Sequence, residues 1–280
     1  MDTQHLIDMD RDHWIHPVAA WRKQQQQGAQ GVTILRSAKG AYLTDIDGHT
    51  LLDGFSGLWC VNLGYGHESI VRAATEQMQR LPYATGYFNY GSEPAIELAA
   101  KLAQLAPGDL DHVFFTMGGS DAVDTTVRLI SYYFNSIGKP EKKQCISLQR
   151  GYHGSSAIGS GLTALAAFHR NFDVPLPTQH TISSPYPYRN PVGTDAATII
   201  AASVQELRNK VAEIGADRVA AFFLRAGARL RRRHRAAQRL AGSDASSMYR
   251  ARHTVRRRRS HHRLRTHRTA LCMRIRKRDA

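Results

Sequence analysis

The chain has 280 residues, 42% of them hydrophobic, which is enough for one large domain or two smaller ones with a buried core. Its net charge of +15 is confined to one end, because residues 1–224 sum to −3 and residues 225–280 sum to +18. No apolar run reaches the ~20 residues of a membrane helix and the polar start lacks a signal-peptide core, so we expect a cytoplasmic protein without a membrane partner.

Hydrophobic periodicity predicts alternating strands and helices along residues 41–224. The first predicted element is a hairpin centred on Asp47-Gly48, a pair typical of tight turns between strands. Helical spacing of apolar residues indicates helices over residues 68–81, 93–106, 121–135 and 198–214, and short apolar runs indicate strands over 112–116, 143–148 and 218–223. Strands that alternate with helices predict an α/β protein with a mostly parallel sheet covered on both faces.

The composition changes abruptly near Leu224. Residues 225–280, here called the basic tail, contain 19 Arg, one Lys and five His, without Glu, Phe or Trp. Such a segment cannot bury enough apolar area to offset its chain entropy, so we expect it to be disordered. Its arginines raise the alternative of a basic nucleic-acid-binding protein. Interleaved aromatics, a zinc pattern and heptads are all lacking, which argues against specific nucleic-acid recognition.

Three segments carry candidate binding residues. Thr116 to Asp121 joins a predicted strand to a predicted helix, and Gly119 and Ser120 at such a turn suit a phosphate, although a Gly-Gly turn before a helix is more often only a turn. Tyr152 and His153 follow the next strand, where an aromatic side chain can stack on a ring or can be a plain packing residue. Trp59 suits either a substrate pocket or the core. The three cysteines have no spacing typical of a disulfide framework or a metal site.

Taken together, these segments resemble the class III pyridoxal-phosphate-dependent aminotransferases, or ω-transaminases, especially those that pass amines to pyruvate. The resemblance covers residues 10–223. The strings that carry it are Gly40–Gly48 (GAYLTDIDG), Asp53–Gly66 (DGFSGLWCVNLGYG), Thr116–Asp124 (TMGGSDAVD), Gly138–Lys143 (GKPEKK), Gly151–Ser155 (GYHGS) and Glu213–Phe222 (EIGADRVAAF).

The resemblance implies a fold, a cofactor and partners. The fold is that of PLP-dependent transferases of fold type I, with residues 1–64 in a small N-terminal domain segment and 65–224 in part of the large cofactor-binding domain. Gly119 and Ser120 would hold the phosphate of pyridoxal 5'-phosphate, Tyr152 would stack on its ring with His153 beside it, and Trp59 would line the amine pocket. The substrates would be a small-molecule amine and a 2-oxo acid, and the intact enzyme would be a homodimer.

Two residues that the chemistry needs are not found in the matching strings. A lysine must bond covalently to the cofactor, and an aspartate must pair with its ring nitrogen. In the family both lie downstream of the last matching strand, where this chain has only Lys277, without the surrounding motif. No catalytic residue is therefore assigned, and we expect the chain to be inactive in transamination.

The basic tail has the composition of a GC-rich gene read out of frame. If Arg256 to Ser260 is encoded by CGN and AGY codons, the frame one base forward permits VADE, and its continuation through Arg268 permits DEVITGFGRTG. The whole tail similarly permits EPVQGSGG followed by that motif, in the order the family has. We hypothesise that one inserted or two deleted nucleotides near the codon for Leu224 shifted the reading frame.

Overall fold

The computed structural model describes residues 2–17, 32–224 and 271–273. The chain divides into two compact units, Met1–Glu93 and Pro94–Ala280. The basic tail lies outside the described residues except for 271–273, so the expected disorder of the remainder stays a prediction. The boundary proposed after residue 64 likewise stays a prediction about the intact enzyme's domains.

Among its described residues, the first unit contains two helices of several turns, the single helical turn Ser56–Trp59 and one antiparallel sheet. The strands are paired in the order β1-β2-β3, and Leu43 of β2 lies opposite Leu51 of β3. The predicted hairpin is confirmed: Asp45 Oδ1 accepts hydrogen bonds from the backbone N–H groups of Asp47 and His49, which closes the turn. The elements are α1 (Thr3–His13), β1 (Leu35–Lys39), β2 (Tyr42–Asp45), β3 (Thr50–Leu52) and α2 (Glu68–Arg80).

In the part of the second unit that the structure describes, there are four α-helices and two separate groups of strands. Its elements are α3 (Glu93–Leu105), β4 (His112–Phe114), α4 (Gly119–Ser136), β5 (Gln144–Leu148), α5 (Ala157–Leu162), β6 (Gln179–Ile182), α6 (Ala196–Ile214), β7 (Val219–Phe223) and β8 (Leu271–Met273). Strands β6, β5 and β7 form a parallel sheet in that order, as the α/β pattern predicts. Strand β4 pairs antiparallel with β8 instead. These three residues are thus an exception to the expectation of a tail without regular structure.

The core of the second unit lies between β5 and α6. All five residues of β5 are buried, as expected for the central strand of a covered parallel sheet. Ile146 and Leu148 of β5 pack in one cluster with Ile182, Leu207 and Val219. This packing fixes the carboxyl end of β5, from which the loop carrying Tyr152 departs.

Several elements, four of them longer than three residues and outside any one-turn segment, were not predicted from the sequence patterns. These four are α1, β1, α5 and β6, which are short or polar and therefore show weak periodicity. In β6, the sequence QHTI offers a single aliphatic residue. Helix α6 starts at Ala196, two residues earlier than predicted, because Asp195 Oδ2 accepts a hydrogen bond from the Thr198 N–H at 2.8 Å and caps the helix. In the described ranges, no helix combines the length and apolar character of a membrane span.

Candidate functional site

The turn between β4 and α4 ends in an exposed helix terminus. Gly118 is the N-cap, with an extended backbone, and α4 begins at Gly119, two residues earlier than predicted. Gly119 and Ser120 therefore lie in the first turn, where backbone N–H groups have no partner within the helix and the helix dipole is positive. This is the environment that the sequence predicted for a phosphate.

The loop after β5 adjoins this turn. The Ser155 N–H donates a hydrogen bond to Ser120 Oγ at 3.1 Å. Gly154 is buried against the same serine with a φ of 125°, and a Cβ there would lie 2.7 Å from Ser120 Oγ. Only glycine fits this close approach without displacing its neighbour. Two glycine-containing loops, each following a strand, thus meet at Ser120, although β4 and β5 are not paired with each other.

Tyr152 and His153 lie on the segment that reaches Ser120. The Tyr152 side chain is 39% exposed and contacts the Phe168 ring edge-on, with the ring centroids 5.4 Å apart. The His153 ring lies edge-on to Phe223, and its backbone N–H donates to Thr163 Oγ1 at 2.8 Å. Tyr152 and His153 therefore immediately precede Gly154 and Ser155, the two residues that contact Ser120 of the predicted phosphate turn.

Three polar residues that support this loop were missed by the sequence analysis. Asp124 Oδ1 accepts hydrogen bonds from Ser156 Oγ at 2.6 Å and from the Gly159 N–H at 3.1 Å. Thr163 is fully buried, with its hydroxyl 2.9 Å from the Gly154 carbonyl oxygen. A serine just before a short helix is a recognisable cap signal, but nothing in the local sequence indicates that Asp124, 32 residues earlier, would be its partner.

Trp59 belongs to the first unit and lies in an unusual turn. Its side chain is 48% exposed and contacts Phe55, with ring centroids 5.7 Å apart. The backbone is left-handed through the whole helical turn Ser56–Trp59. Three of these four residues are not glycine, so the turn is held in a conformation that L-residues rarely adopt.

Asp53 is the residue that holds this turn together. Its Oδ2 accepts hydrogen bonds from the Gly57 N–H at 2.7 Å and from the Tyr65 hydroxyl at 2.8 Å. The hydrogen bond from Tyr65, with those from backbone N–H groups, lowers the pKa of the Asp53 carboxyl because each stabilises the ionised form. The carboxylate therefore fixes the backbone that presents Trp59.

Comparison with known proteins decides the family. The model of the family "Aminotransferase class-III" matches residues 24–226. A putrescine–pyruvate aminotransferase of Pseudomonas aeruginosa is 38% identical over 79% of this chain, and a diaminobutyrate–2-oxoglutarate transaminase of Halomonas elongata is 36% identical over 78%. The chain belongs to the class III aminotransferases.

Solved structures place this aminotransferase chain in fold type I. An (S)-enantioselective ω-transaminase from Thermomicrobium roseum matches with a TM-score of 0.74 at 34% identity, and the ω-transaminase of Pseudomonas jessenii in complex with PMP matches with 0.74 at 33%. These matches cover 79% and 78% of this chain but 48% of each relative. The chain thus spans about half the length of the relatives it matches.

The comparisons favour transamination over nucleic-acid binding, the two activities predicted from the sequence. Class III aminotransferases depend on pyridoxal phosphate, as the resemblance implied. The family match ends at residue 226, where the composition changes. The alternative of a nucleic-acid-binding protein has no support, because the relatives reported above are transaminases.

The lysines near β5 lie at the wrong end of the strand for the site. Lys142 and Lys143 precede β5, whereas Tyr152 and His153 follow it. Lys142 Nζ donates to the Ala216 carbonyl oxygen at 2.8 Å, and Lys143 Nζ donates to Asn135 Oδ1 at the same distance. Both amines are therefore anchored a strand's length from the loop that carries Tyr152.

Proposed function

We propose that the intact form of this protein transfers an amino group from an amine or ω-amino acid to pyruvate or another 2-oxo acid, using pyridoxal 5'-phosphate. The observation that carries the proposal is the meeting of the α4 turn with the Tyr152 loop at Ser120. The close approach of Gly154 leaves the Ser120 hydroxyl in a defined position, and family membership supplies the class of reaction.

The described residues fit the phosphate and ring of this cofactor. Gly119 and Ser120 would bind the phosphate through N–H groups at a helix terminus and through the serine hydroxyl. Because Ser120 Oγ accepts the Ser155 N–H, its own proton is left to donate to a phosphate oxygen. Tyr152, more than one-third exposed, would contact the ring with His153 beside it. When bound, the cofactor supplies an electron sink for the substrate's carbanion.

We further propose that the chain as it stands does not catalyse the reaction. Lys142, Lys143 and Lys210 donate hydrogen bonds to Ala216, Asn135 and Glu213, none of which belongs to the Tyr152 loop. No matching motif surrounds Lys277. A ring-nitrogen aspartate is likewise not assigned. Cofactor binding by this chain would then rest on the phosphate and ring contacts alone, without a covalent bond from an amine.

The substrate pocket and assembly belong to the same proposal. Trp59, presented by the Asp53-bound turn, would line the amine pocket; a related ω-transaminase with one tryptophan replaced by glycine was engineered for the synthesis of bulky amines. The two relatives named above act on putrescine and diaminobutyrate, which favours a diamine or ω-amino acid. Homodimerisation, the division of domains at residue 64 and the cytoplasmic location remain predictions for the intact enzyme.

Sequencing the gene across the codon for Leu224, followed by correction of the frame, tests the proposal. The corrected frame should encode DEV and TGFGRTG opposite residues 255–268. Its product should show visible cofactor absorbance after dialysis and should form alanine from pyruvate and an amine. The present chain should do neither. A gene without that motif in the forward frame would refute the frameshift, and a corrected product that binds no cofactor would refute the function.

A further inference from the structure

Helix α4 directs two polar side chains at one segment of the chain. Ser120 and Asp124 are four residues apart, so they lie on the same face of the helix, one turn from each other. Ser120 Oγ accepts the N–H of Ser155, and Asp124 Oδ1 accepts the hydroxyl of Ser156. Consecutive residues of the loop are therefore bound by successive turns of the helix.

The hydrogen bond from Ser156 to Asp124 is shorter than the hydrogen bond from Ser155 to Ser120. The distance of 2.6 Å between Asp124 Oδ1 and Ser156 Oγ is typical of a charge-assisted hydrogen bond between a hydroxyl and a carboxylate. The same oxygen accepts the Gly159 N–H, which is also shared with Ser156 Oγ at 3.1 Å. Asp124 thus binds both the cap and the first turn of α5, immediately after the loop that carries Tyr152 and His153.

We propose that Asp124 is a positioning residue, which holds the Ser155–Gly159 segment against the phosphate turn. The functional role of Asp124 rests on the proposed cofactor site, whereas its hydrogen bonds to Ser156 and Gly159 are independent of that site. By fixing Ser156, Asp124 keeps the Ser155 N–H directed at Ser120, and that hydrogen bond keeps the Ser120 proton available to an anion. Loss of Asp124 would therefore release the Ser155 N–H that orients the Ser120 hydroxyl.

Thr163 binds the other end of the loop, so the loss of Asp124 should affect only part of it. Thr163 Oγ1 accepts the His153 N–H and lies 2.9 Å from the Gly154 carbonyl oxygen. The Ala164 N–H also donates to the Gly151 carbonyl oxygen at 3.1 Å. The amino-terminal end of the loop would therefore stay in place, and only Ser155 to Gly159 would be released from α4.

Amide hydrogen exchange of the full chain tests this role. In Asp124→Ala, exchange at Ser155 and Gly159 should accelerate by about tenfold or more, whereas exchange at Ile146 in β5 should stay within about twofold. Asp124→Asn keeps an acceptor oxygen and should restore most of the protection. Glu97→Ala is the matched control, since Glu97 is exposed on α3 and has no partner in the described ranges. Unchanged exchange at Ser155 in Asp124→Ala would overturn the proposal.

Binding of pyridoxamine phosphate, followed by its fluorescence, separates this inference from the proposed function. Asp124→Ala should weaken binding by about tenfold, with Asp124→Asn within about threefold of the parent. Ser120→Ala, which removes a proposed phosphate contact, distinguishes binding at the turn from binding by tail arginines. Equal affinity of the parent and Asp124→Ala would overturn the positioning role. If hydrogen exchange changes as expected but the parent chain binds no pyridoxamine phosphate, Asp124 still positions the loop and the proposed cofactor site is refuted.

Discussion

Two amphipathic helices of this chain, α2 and α6, have similar sequence patterns but different environments. In α6, Ile199 and Leu207 are buried. In α2, Ile70 is 52% exposed and Met78 is 66% exposed. Among the described residues of the first unit, Asp45 alone is buried. Helical periodicity therefore predicts which face is apolar, but a neighbouring sheet decides whether that face is covered.

The two units differ at their helix ends as well. In the second unit, α5 and α6 begin with side-chain caps from Ser156 and Asp195. In the first unit, neither Asp2 nor His67 caps its helix through the side chain. We therefore expect the second unit to be the more stable one, and matched substitutions in the two units test this expectation.

The largest expected difference is between Ile146→Ala and Ile70→Ala. Ile146 is completely buried in β5, so removing its side chain should lower the free energy of unfolding by about 2–5 kcal/mol. The same change at the half-exposed Ile70 should alter it by less than about 1 kcal/mol. Urea unfolding followed by circular dichroism measures both values. Equal losses would show that the first unit's helix is covered after all.

Cysteine labelling compares the units without mutation. Burial raises the pKa of the Cys145 thiol to about 11, which keeps it protonated at neutral pH, whereas Cys60 is exposed. Because the thiolate is the reactive form, Cys60 should react with iodoacetamide at pH 8 about a hundredfold faster or more. Mass spectrometry of the separate peptides gives each rate. The rates should converge in urea, and similar rates in native buffer would contradict the burial of β5.

Gly154→Ala should cost about 1–3 kcal/mol of stability, because the added methyl group would clash with Ser120 and the left-handed backbone would be strained. Gly86→Ala, in the first unit, meets no atom within 4 Å and should be nearly neutral. Thermal unfolding compares the two variants. Should Gly154→Ala be as stable as Gly86→Ala, the meeting of the two loops would have to be looser than described.

The smallest effect concerns pH and the cap of α6. Hydrogen bonds from the Thr198 backbone, and then from its hydroxyl, lower the pKa of Asp195 below its ordinary value. A carboxyl whose pKa is depressed by folding stabilises the protein above its unfolded pKa of ~4, and this contribution is lost as the pH falls through the folded value. Asp195→Asn, which still caps, should weaken the acid dependence of unfolding.

Glu97→Gln removes the same charge elsewhere on the surface and is the control for Asp195→Asn. Unfolding measured between about pH 3 and pH 7 should show the smaller acid dependence in Asp195→Asn only. An identical pH profile in both variants would indicate that the cap does not contribute through its charge.

Much of the candidate site could be predicted because it is local in the chain. The order of strand, glycine turn and helix around Gly119 and Ser120 follows from apolar runs and turn residues within twenty positions. Asp124 and Thr163 could not be predicted, because their partners are brought to them by the packing of α4, α5 and β5. Their hydrogen bonds cross separations of up to 35 residues, which no local pattern records.

Sequence alone was enough for the features that depend on neighbours along the chain: most of the helical and strand segments, the turn at Ser120, and the change of composition after Leu224. Only the tertiary structure decided which apolar faces are buried, that β4 pairs with β8 instead of joining the sheet of β5, and that Gly154 reaches Ser120. The reason is physical. Backbone propensity acts over a few residues, whereas burial and close approach depend on which distant segments share the same space.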